Sequence, residues 1–324
     1  MKVLMVTNMY PTTKRPSFGS FIKTQIDSLV TKGVEVDVIF INGNESRFNY
    51  VRSIFTLYKK IYTKKYDLIH AHYGLCGLIA RLQFRYPIVV SYCGDDLYGS
   101  ATPEEVPSRG TLFLAWFNKQ LSKLVDRVIV KSHAMGALLP IDEFEVIPNG
   151  VDFERFRPMD KQECRRKLGI KADALYVLYP YQKTCIRKGF KIIEAAVNQF
   201  NQKNDSNMEI LVAYGIPNEE MPIYMNAVDV MVLASLWEGS PNAVKEAMAC
   251  NTRVISTPVG DVPELIDGIE GCMLCEREPE DIVDKLKIVM GTPEKTKGRE
   301  LICNLRIAKI ADQVIAQYHK VLEK

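Results

Sequence analysis

Two glutamates, Glu238 and Glu246, stand eight residues apart in the stretch LWEGSPNAVKEAMACN, Leu236 to Asn251. Between them lie Gly239, Ser240, Pro241, Asn242 and Ala243. Ser240 reads as a helix N-cap and Pro241 as the first helical residue, where a missing N–H is harmless. Asn242 to Cys250 then reads as helix, with Asn251 as its C′ residue. Amides at such a helix start favour an anion, and phosphate is the usual one. Carboxylates beside them can accept hydrogen bonds from hydroxyls. A ligand carrying both phosphates and hydroxyls fits this pattern better than a bare anion. The bland alternative is a pair of solvated glutamates flanking a capped helix.

The elements that hold this stretch follow from hydropathy. VDVMVLAS, Val228 to Ser235, is a short apolar run of buried-strand type, so the order is strand, turn, helix. The same kind of run recurs along the chain. In the first half the expected strands are Val3–Thr7, Val36–Ile41, Leu68–His70, Ile88–Ser91, Arg127–Lys131 and Glu145–Ile147. In the second they are Tyr176–Tyr179, Glu209–Ala213, Val228–Leu233, Arg253–Ser256 and Gly271–Leu274. Helical segments separate most of them. Two βαβα series imply two doubly wound, Rossmann-like domains, with the ligand expected in a cleft between them at the strands' C-terminal ends. The boundary is expected within IPNGVDFERFRPMD, which carries two prolines and an Asn-Gly turn, with a new helix opening after Asp160. This predicts an acceptor-side domain over 1–155 and a donor-binding domain over 156–305. The tail reads as helix, and its last part, 306–324, is expected to pack back on the first domain.

A second segment invites a separate reading. From Arg47 to Asp67, RFNYVRSIFTLYKKIYTKKYD interleaves Arg47, Arg52, Lys59, Lys60, Lys64 and Lys65 with aromatic residues, and no acidic residue interrupts it before Asp67. Such a helix can lie on an anionic membrane surface through those lysines and arginines. It can equally be an ordinary amphipathic helix with its aromatics in the core. SYCGDDLYGS, Ser91 to Ser100, follows a strand in the same half. Asp95 and Asp96 there either bind acceptor hydroxyls or cap the next helix.

Bulk properties exclude several classes. The chain has 324 residues and a net charge of +3, so nothing global demands nucleic acid. No apolar run reaches the length of a membrane span. The start, MKVLMVTNMYP, reads as a strand and loop rather than a signal peptide. Eight scattered cysteines, with Cys272 and Cys275 as one CxxC lacking a partner pair, read as reduced thiols in a cytoplasmic protein rather than a zinc site. No G-x-G-x-x-G loop follows a first strand, which argues against a dinucleotide-dependent oxidoreductase. No aspartate cluster calls for a divalent metal, and no cofactor is expected.

SLWEGSPNAVKEAMACNTRVISTPVGDVPELI, Ser235 to Ile266, resembles the signature of the family-4 retaining glycosyltransferases of GT-B fold. NMYPTTKRPSFGSFIKTQIDSLVTKGVEVDVI, YDLIHAHYGLCGLIA and VIPNGVD resemble that family's first strand and glycine loop, His-x-His segment and interdomain connection, in family order. The wording EGSPNAVKEAMACN is similar to bacterial members that build cell-surface polysaccharide, such as capsule and teichuronic-acid transferases. The resemblance implies transfer of a sugar from a nucleotide-diphosphate sugar, UDP ahead of GDP, to a glycan acceptor, with retention and without a metal. For a polysaccharide transferase a lipid-linked acceptor is expected, and with it a cytoplasmic protein able to touch the inner face of the membrane.

The resemblance also implies roles. Glu246 would bind the ribose hydroxyls and Glu238 would face the donor sugar. The amides of Gly239, Ser240, Pro241's neighbour Asn242 and Ala243 would contact sugar or diphosphate. Gly19 would let the backbone approach phosphate and acceptor, and either His70 or His72 would bond the sugar near the reacting carbon. Lys188 matches the family's diphosphate lysine. The family's arginine is displaced in YPYQKTCIRKGFK, so either Lys183 or Arg187 serves or the site is weaker. Two other readings stay open: a sugar-nucleotide epimerase, and a degenerate transferase that acts as a partner in an assembly complex.

Overall fold

The computed structural model describes residues 1–323, so the last residue of the tail, Lys324, lies outside the described residues. Val3 to Val6 are fully buried at four consecutive positions, and the stretches 68–72, 88–91, 176–179, 230–233 and 253–256 are buried throughout. Strands buried on both faces belong to parallel sheets with helices above and below. In chain order the first elements are β1 (Lys2–Thr7), α1 (Ser20–Thr31), β2 (Glu35–Phe40), α2 (Phe48–Thr63), β3 (Leu68–His72) and α3 (Gly74–Ala80). Then come β4 (Ile88–Ser91), α4 (Asp95–Tyr98), α5 (Arg109–Leu121), β5 (Arg127–Val130), α6 (His133–Gly136) and β6 (Glu145–Val146). These strands form one parallel sheet in the order β2-β1-β3-β4-β5-β6.

The second series runs α7 (Lys161–Leu168), β7 (Tyr176–Tyr179), α8 (Phe190–Asn204), β8 (Glu209–Val212), α9 (Met221–Ala227), β9 (Val230–Leu233) and α10 (Asn242–Ala249). It continues with β10 (Arg253–Ser256), α11 (Val262–Ile266), β11 (Cys272–Leu274), α12 (Pro279–Met290) and α13 (Gly298–Leu301). Its parallel sheet has the order β11-β10-β9-β7-β8. The last helix, α14 (Ile307–Leu322), buries Ile310, Ala311, Val314 and Tyr318 along one stripe and packs on α1 in the first unit. The chain divides into two compact units, 1–100 with 106–150 and 307–324, and 101–105 with 151–306.

Connection handedness sorts the first unit's helices. Crossovers between parallel strands are right-handed. The steps β2 to β3, β3 to β4 and β4 to β5 all run the same way across the sheet, so α2, α3 and α5 share one face. The step from β1 to β2 runs the other way and puts α1, with α14, on the opposite face. Contacts of α2 with α3 and of α3 with α5 agree.

In each sheet the strand order reverses once. The reversal lies between β1 and β3 in the first unit and between β7 and β9 in the second. Loops leaving neighbouring strands there diverge, which opens a crevice at the strands' C-terminal ends.

Asp160 caps α7, accepting the Glu163 N–H at 2.7 Å, and Gly169 ends the helix in a left-handed conformation. Beneath α7 the second unit has a buried polar knot. Asp229 accepts from Arg165 at 2.9 Å, from Lys161 at 2.5 Å and from the Tyr176 N–H at 2.7 Å. Removing one partner of a buried pair leaves an uncompensated charge. Asp229→Ala is expected to lower unfolding free energy by about 3–5 kcal/mol, the usual cost of breaking a buried ion pair. Denaturant unfolding checks this, and a loss under about 1 kcal/mol, the scale of a surface pair, would show that the knot is not structural.

Candidate functional site

The second unit's crevice is built from the loops after β7 and β9. The β7 loop turns back through Cys185 and Lys188, whose N–H groups bond to the Gln182 and Cys185 carbonyls. It ends at Gly189, left-handed at φ 70°, where a Cβ would collide with the Ala234 carbonyl at the end of β9. Only glycine permits this approach, and the Leu236 N–H then bonds to the Arg187 carbonyl at 2.9 Å. The two loops are thereby stitched together, and their side chains meet at Glu238.

Glu238 Oε1 is the meeting point. Lys188 Nζ donates to it, Arg187 lies at 2.8 Å, and Ser235 donates its hydroxyl at 2.7 Å. Burial alone would raise this carboxyl, but the Lys188 and Arg187 cations hold it at about 2. The Lys188 amine is pushed down by its own burial, against the Glu238 charge. It also sits 3.8 Å from the centre of the Tyr181 ring. Of the two cations offered to replace the displaced arginine, the structure brings in Arg187. Lys183 is exposed, and its amine lies over the Phe190 ring at 4.8 Å, outside the Glu238 group.

The helix after Glu238 starts one residue later than its composition suggests. Pro241 is the N-cap of α10, and Ser240 does not cap it. The Ser240 hydroxyl is committed elsewhere: it donates to Asp261 at 2.6 Å and accepts from Lys245 at 2.8 Å. Lys245 is fully buried, and Gly260 lies so close to the Gly239 carbonyl that a Cβ would be 2.5 Å from it. This clamp fixes the loop from Gly239 to Asn242 from behind. At the far end, Asn251 is left-handed at φ 55°, as its C′ position requires.

Glu246 lies one turn into α10 and differs from Glu238. Its carboxyl accepts no hydrogen bond from the described residues, and burial pushes it up to about 7, with Lys245 and Arg155 only partly opposing. A carboxyl near neutrality that lacks internal donors is open to donors from a ligand.

The first unit's crevice carries the histidines. Residues two apart on a strand share a face, so His70 and His72 lie together, ring centres 4.3 Å apart. Both are fully buried. His70 uses both ring nitrogens internally, Nδ1 with Tyr318 of α14 at 2.7 Å and Nε2 with Ser91 of β4 at 2.8 Å. Burial keeps it neutral, down to about 3. Both nitrogens of His72 lack partners among the described residues. Buried unpaired polar atoms are rare and call for an explanation.

Asp96 caps rather than reaching outward: it is buried and accepts the Gly74, Cys93 and Gly94 N–H groups at 2.8–3.1 Å. Asp95 is less buried. Gly19 is left-handed at φ 70° and opens α1, and a Cβ there would be 2.5 Å from the Tyr10 nitrogen. The glycine is therefore required by the chain's own first loop.

One group escaped sequence reasoning. Lys131, just past β5, is buried and makes one long bond, 3.3 Å, to the Ile147 carbonyl. Register pairs His72 with Ser91 and Ser91 with Ile129, so Lys131 follows on the same edge and face as the histidines. Its only sequence signal is a lysine ending the apolar run VIVK. Cys272 and Cys275 are free and buried.

Residues 2–155 match a model described as Glycosyltransferase Family 4, and residues 190–291 match one described as Glycosyl transferases group 1. The putative teichuronic acid biosynthesis glycosyltransferase of Bacillus subtilis is 25% identical over 82% of this chain and 83% of its own. The UDP-Gal:alpha-D-GlcNAc-diphosphoundecaprenol alpha-1,3-galactosyltransferase of Escherichia coli is 27% identical over 64% of this chain and 61% of its own. Among solved structures, sucrose-phosphate synthase from Thermosynechococcus elongatus superposes with a TM-score of 0.79 at 18% identity, covering all of both chains. Anabaena HepE in complex with UDP and glucose superposes at 0.70 and 17% identity, over 99% of this chain and 100% of its own. Two consecutive family models spanning most of the chain, over two parallel-sheet α/β units of GT-B type, make this protein a family-4 glycosyltransferase.

Proposed function

We propose that the protein transfers a sugar, with retention and without a divalent metal, from a UDP-sugar to a lipid-linked glycan acceptor in polysaccharide assembly. One observation carries this reading: at a single strand-order reversal, Arg187, Lys188 and the α10 N-terminus converge beside Glu238, with the unbonded Glu246 carboxyl one turn away. Cations and helix amides suit a diphosphate, and a free carboxylate suits ribose hydroxyls. UDP and UDP-glucose are named for the Anabaena HepE structures, a diphosphoundecaprenol acceptor for the Escherichia coli relative, and teichuronic acid for the Bacillus one.

In this reading Arg187 and Lys188 stabilise charge leaving on the diphosphate, which is the term that most lowers the barrier. They supply the positive charge that a metal gives elsewhere. The bond from the anomeric carbon to the phosphate oxygen breaks, and its electron pair goes to the diphosphate. The acceptor hydroxyl bonds to the same face of that carbon and passes its proton to the departing phosphate oxygen. Glu238 faces the donor sugar and orients the two cations. The N–H groups of Gly239, Ser240, Asn242 and Ala243 hold sugar and diphosphate, and Gly19 leaves the backbone of the first unit's own loop open to phosphate and acceptor. Of the two histidines, His72 has nitrogens to offer the sugar. Asp95 remains the carboxylate for acceptor hydroxyls.

A thermal-shift panel of UDP-, GDP- and ADP-sugars in EDTA tests the donor class, since a ligand that binds only the folded state raises the melting temperature. Stabilisation by UDP-sugars alone is expected. No shift from any of them would favour a degenerate partner protein instead.

Glu246→Ala is expected to weaken UDP binding about 10- to 100-fold, the scale of one or two charge-assisted hydrogen bonds. Calorimetry giving unchanged affinity would remove the ribose role. The pH dependence has a definite sign. Only the ionised carboxylate accepts two hydroxyls, so UDP affinity should rise as pH passes upward through about 7. Binding should release protons, and Glu246→Gln should flatten the profile. For folding the sign is opposite: a carboxyl raised in the folded state loses stability as pH climbs from the ordinary glutamate range to about 7.

A further inference from the structure

One face of the first unit is unusual in charge and in what it leaves exposed. It is the helical layer of α2, α3 and α5. Residues 46–66, 73–94 and 106–125, which include these helices, contain arginines and lysines but not one aspartate or glutamate. The whole chain is nearly balanced, with 42 Lys and Arg against 39 Asp and Glu. The asymmetry is therefore local. Two of the lysines are already engaged: Asp37 of β2 pairs with Lys64 at 2.9 Å and with Lys60 at 3.9 Å. Arg52, Lys59 and Lys65 are exposed and make no such pair among the described residues.

The same layer turns apolar side chains outward. On α2, Tyr66 just beyond it and Leu57 face the core, but Phe48 is 82% exposed and Phe55 and Tyr62 point out with it. The turn after α3 adds Phe84, 83% exposed, with the Arg81 guanidinium over its ring at 4.2 Å. That turn is tied to α2 by the Tyr58 hydroxyl, which donates to the Leu82 carbonyl at 2.6 Å.

On α5 the pattern is inverted. Ala115, Asn118 and Leu121 face inward, while Leu112, Phe113, Trp116 and Phe117 form a second stripe in water. Phe113 is 66% and Trp116 52% exposed. The rings are locked edge to face, Phe113 to Phe117 at 5.0 Å and Trp116 to Phe117 at 4.9 Å. A pre-formed aromatic wedge, with Arg109 and Lys123 exposed at its two ends, is not the solvated face of an ordinary helix.

We infer that this layer docks on an anionic lipid bilayer, with Phe113, Trp116 and Phe117 of α5 entering the headgroup boundary and Arg52, Lys59 and Lys65 of α2 lying over the anionic headgroups. The inference rests on the lipid-linked acceptor reading above and gives it a docking surface. Tryptophan and phenylalanine beside arginine and lysine are the composition of an interfacial anchor. A second copy of the chain fits worse, because a symmetric contact would press the exposed Arg52, Lys59 and Lys65 of two copies toward like charge. Single-stranded nucleic acid could stack on the exposed rings but would leave the aliphatic Val51, Leu82, Leu112 and Leu124 of the same layer in water, whereas a bilayer boundary covers both.

The test uses the full chain and vesicles of phosphatidylcholine with or without phosphatidylglycerol. The protein should co-sediment with the anionic vesicles and release at high salt. Brominated lipid should quench its tryptophan emission. The other tryptophan, Trp237, lies in the donor loop, so Trp116→Phe should retain sedimentation and lose the quenching. Phe113→Ser with Trp116→Ser and Phe117→Ser should weaken vesicle binding at least tenfold while leaving the melting temperature and UDP stabilisation unchanged.

Wild-type sedimentation kept in the triple variant, or quenching kept in Trp116→Phe, would sink the wedge. So would a dimer in solution that the triple variant dissociates, or binding to an oligonucleotide in place of vesicles. UDP stabilisation in the absence of lipid reads the donor site alone, so failure of docking and failure of the transferase reading are told apart.

Discussion

A single buried carboxylate organises the second unit's crevice. Glu238 comes from the loop after β9, and its two cations come from the loop after β7. The loop after β9 has no regular structure, and the loop after β7 has only one 3-10 turn, Ile186–Lys188. Their shape follows from one ion-pair cluster, one backbone bond between Leu236 and Arg187, and a glycine where the backbones touch. Because Glu238 is ionised, Arg187 and Lys188 can remain charged away from bulk water, which an isolated buried cation could not do. The positive charge at the mouth of α10 thus depends on the negative charge beside it.

The placement of that cluster is a property of the sheet. Parallel strands require helical crossovers, crossovers have one hand, and an order that reverses must leave a gap at the reversal. The gap lies between β7 and β9 in one unit and between β1 and β3 in the other. Glu238 and the histidines sit at those two places. The same handedness sends α2, α3 and α5 to one face and α1 and α14 to the other, so the hydrogen bond from α14 to His70 and the aromatic face of α2 and α5 lie on opposite sides of one sheet.

The inner strands were legible because both-sided burial demands unbroken apolar runs, and each of the eleven expected runs became a strand, three with the expected ends and the others shifted by one or two residues. The family resemblance put Glu238 and Lys188 in one expected donor site, but their pairing with each other was not legible, and spacing could not choose Arg187 over Lys183. Long-range partners decided what was missed. Ser240 looks like a cap until Asp261 and Lys245 claim its hydroxyl. Asp96 looks like a ligand group until three amides surround it. His70 and His72 are indistinguishable in sequence, and only Tyr318, far along the chain, and Ser91 separate them. Of the five aromatics on α2 only Tyr50 packs inward, while Phe48, Phe55, Tyr58 and Tyr62 are exposed, a choice no helical period announces when both stripes are apolar.

The resident ion pair has a consequence for turnover. Arg187 and Lys188 are paired with Glu238 inside the protein, so the crevice is no bare positive hole open to any anion. Under the proposed function, a diphosphate would have to displace an intramolecular competitor, and a departing one would leave behind cations with a partner at hand. Such a site would give up part of its grip on the spent nucleotide in exchange for letting it go.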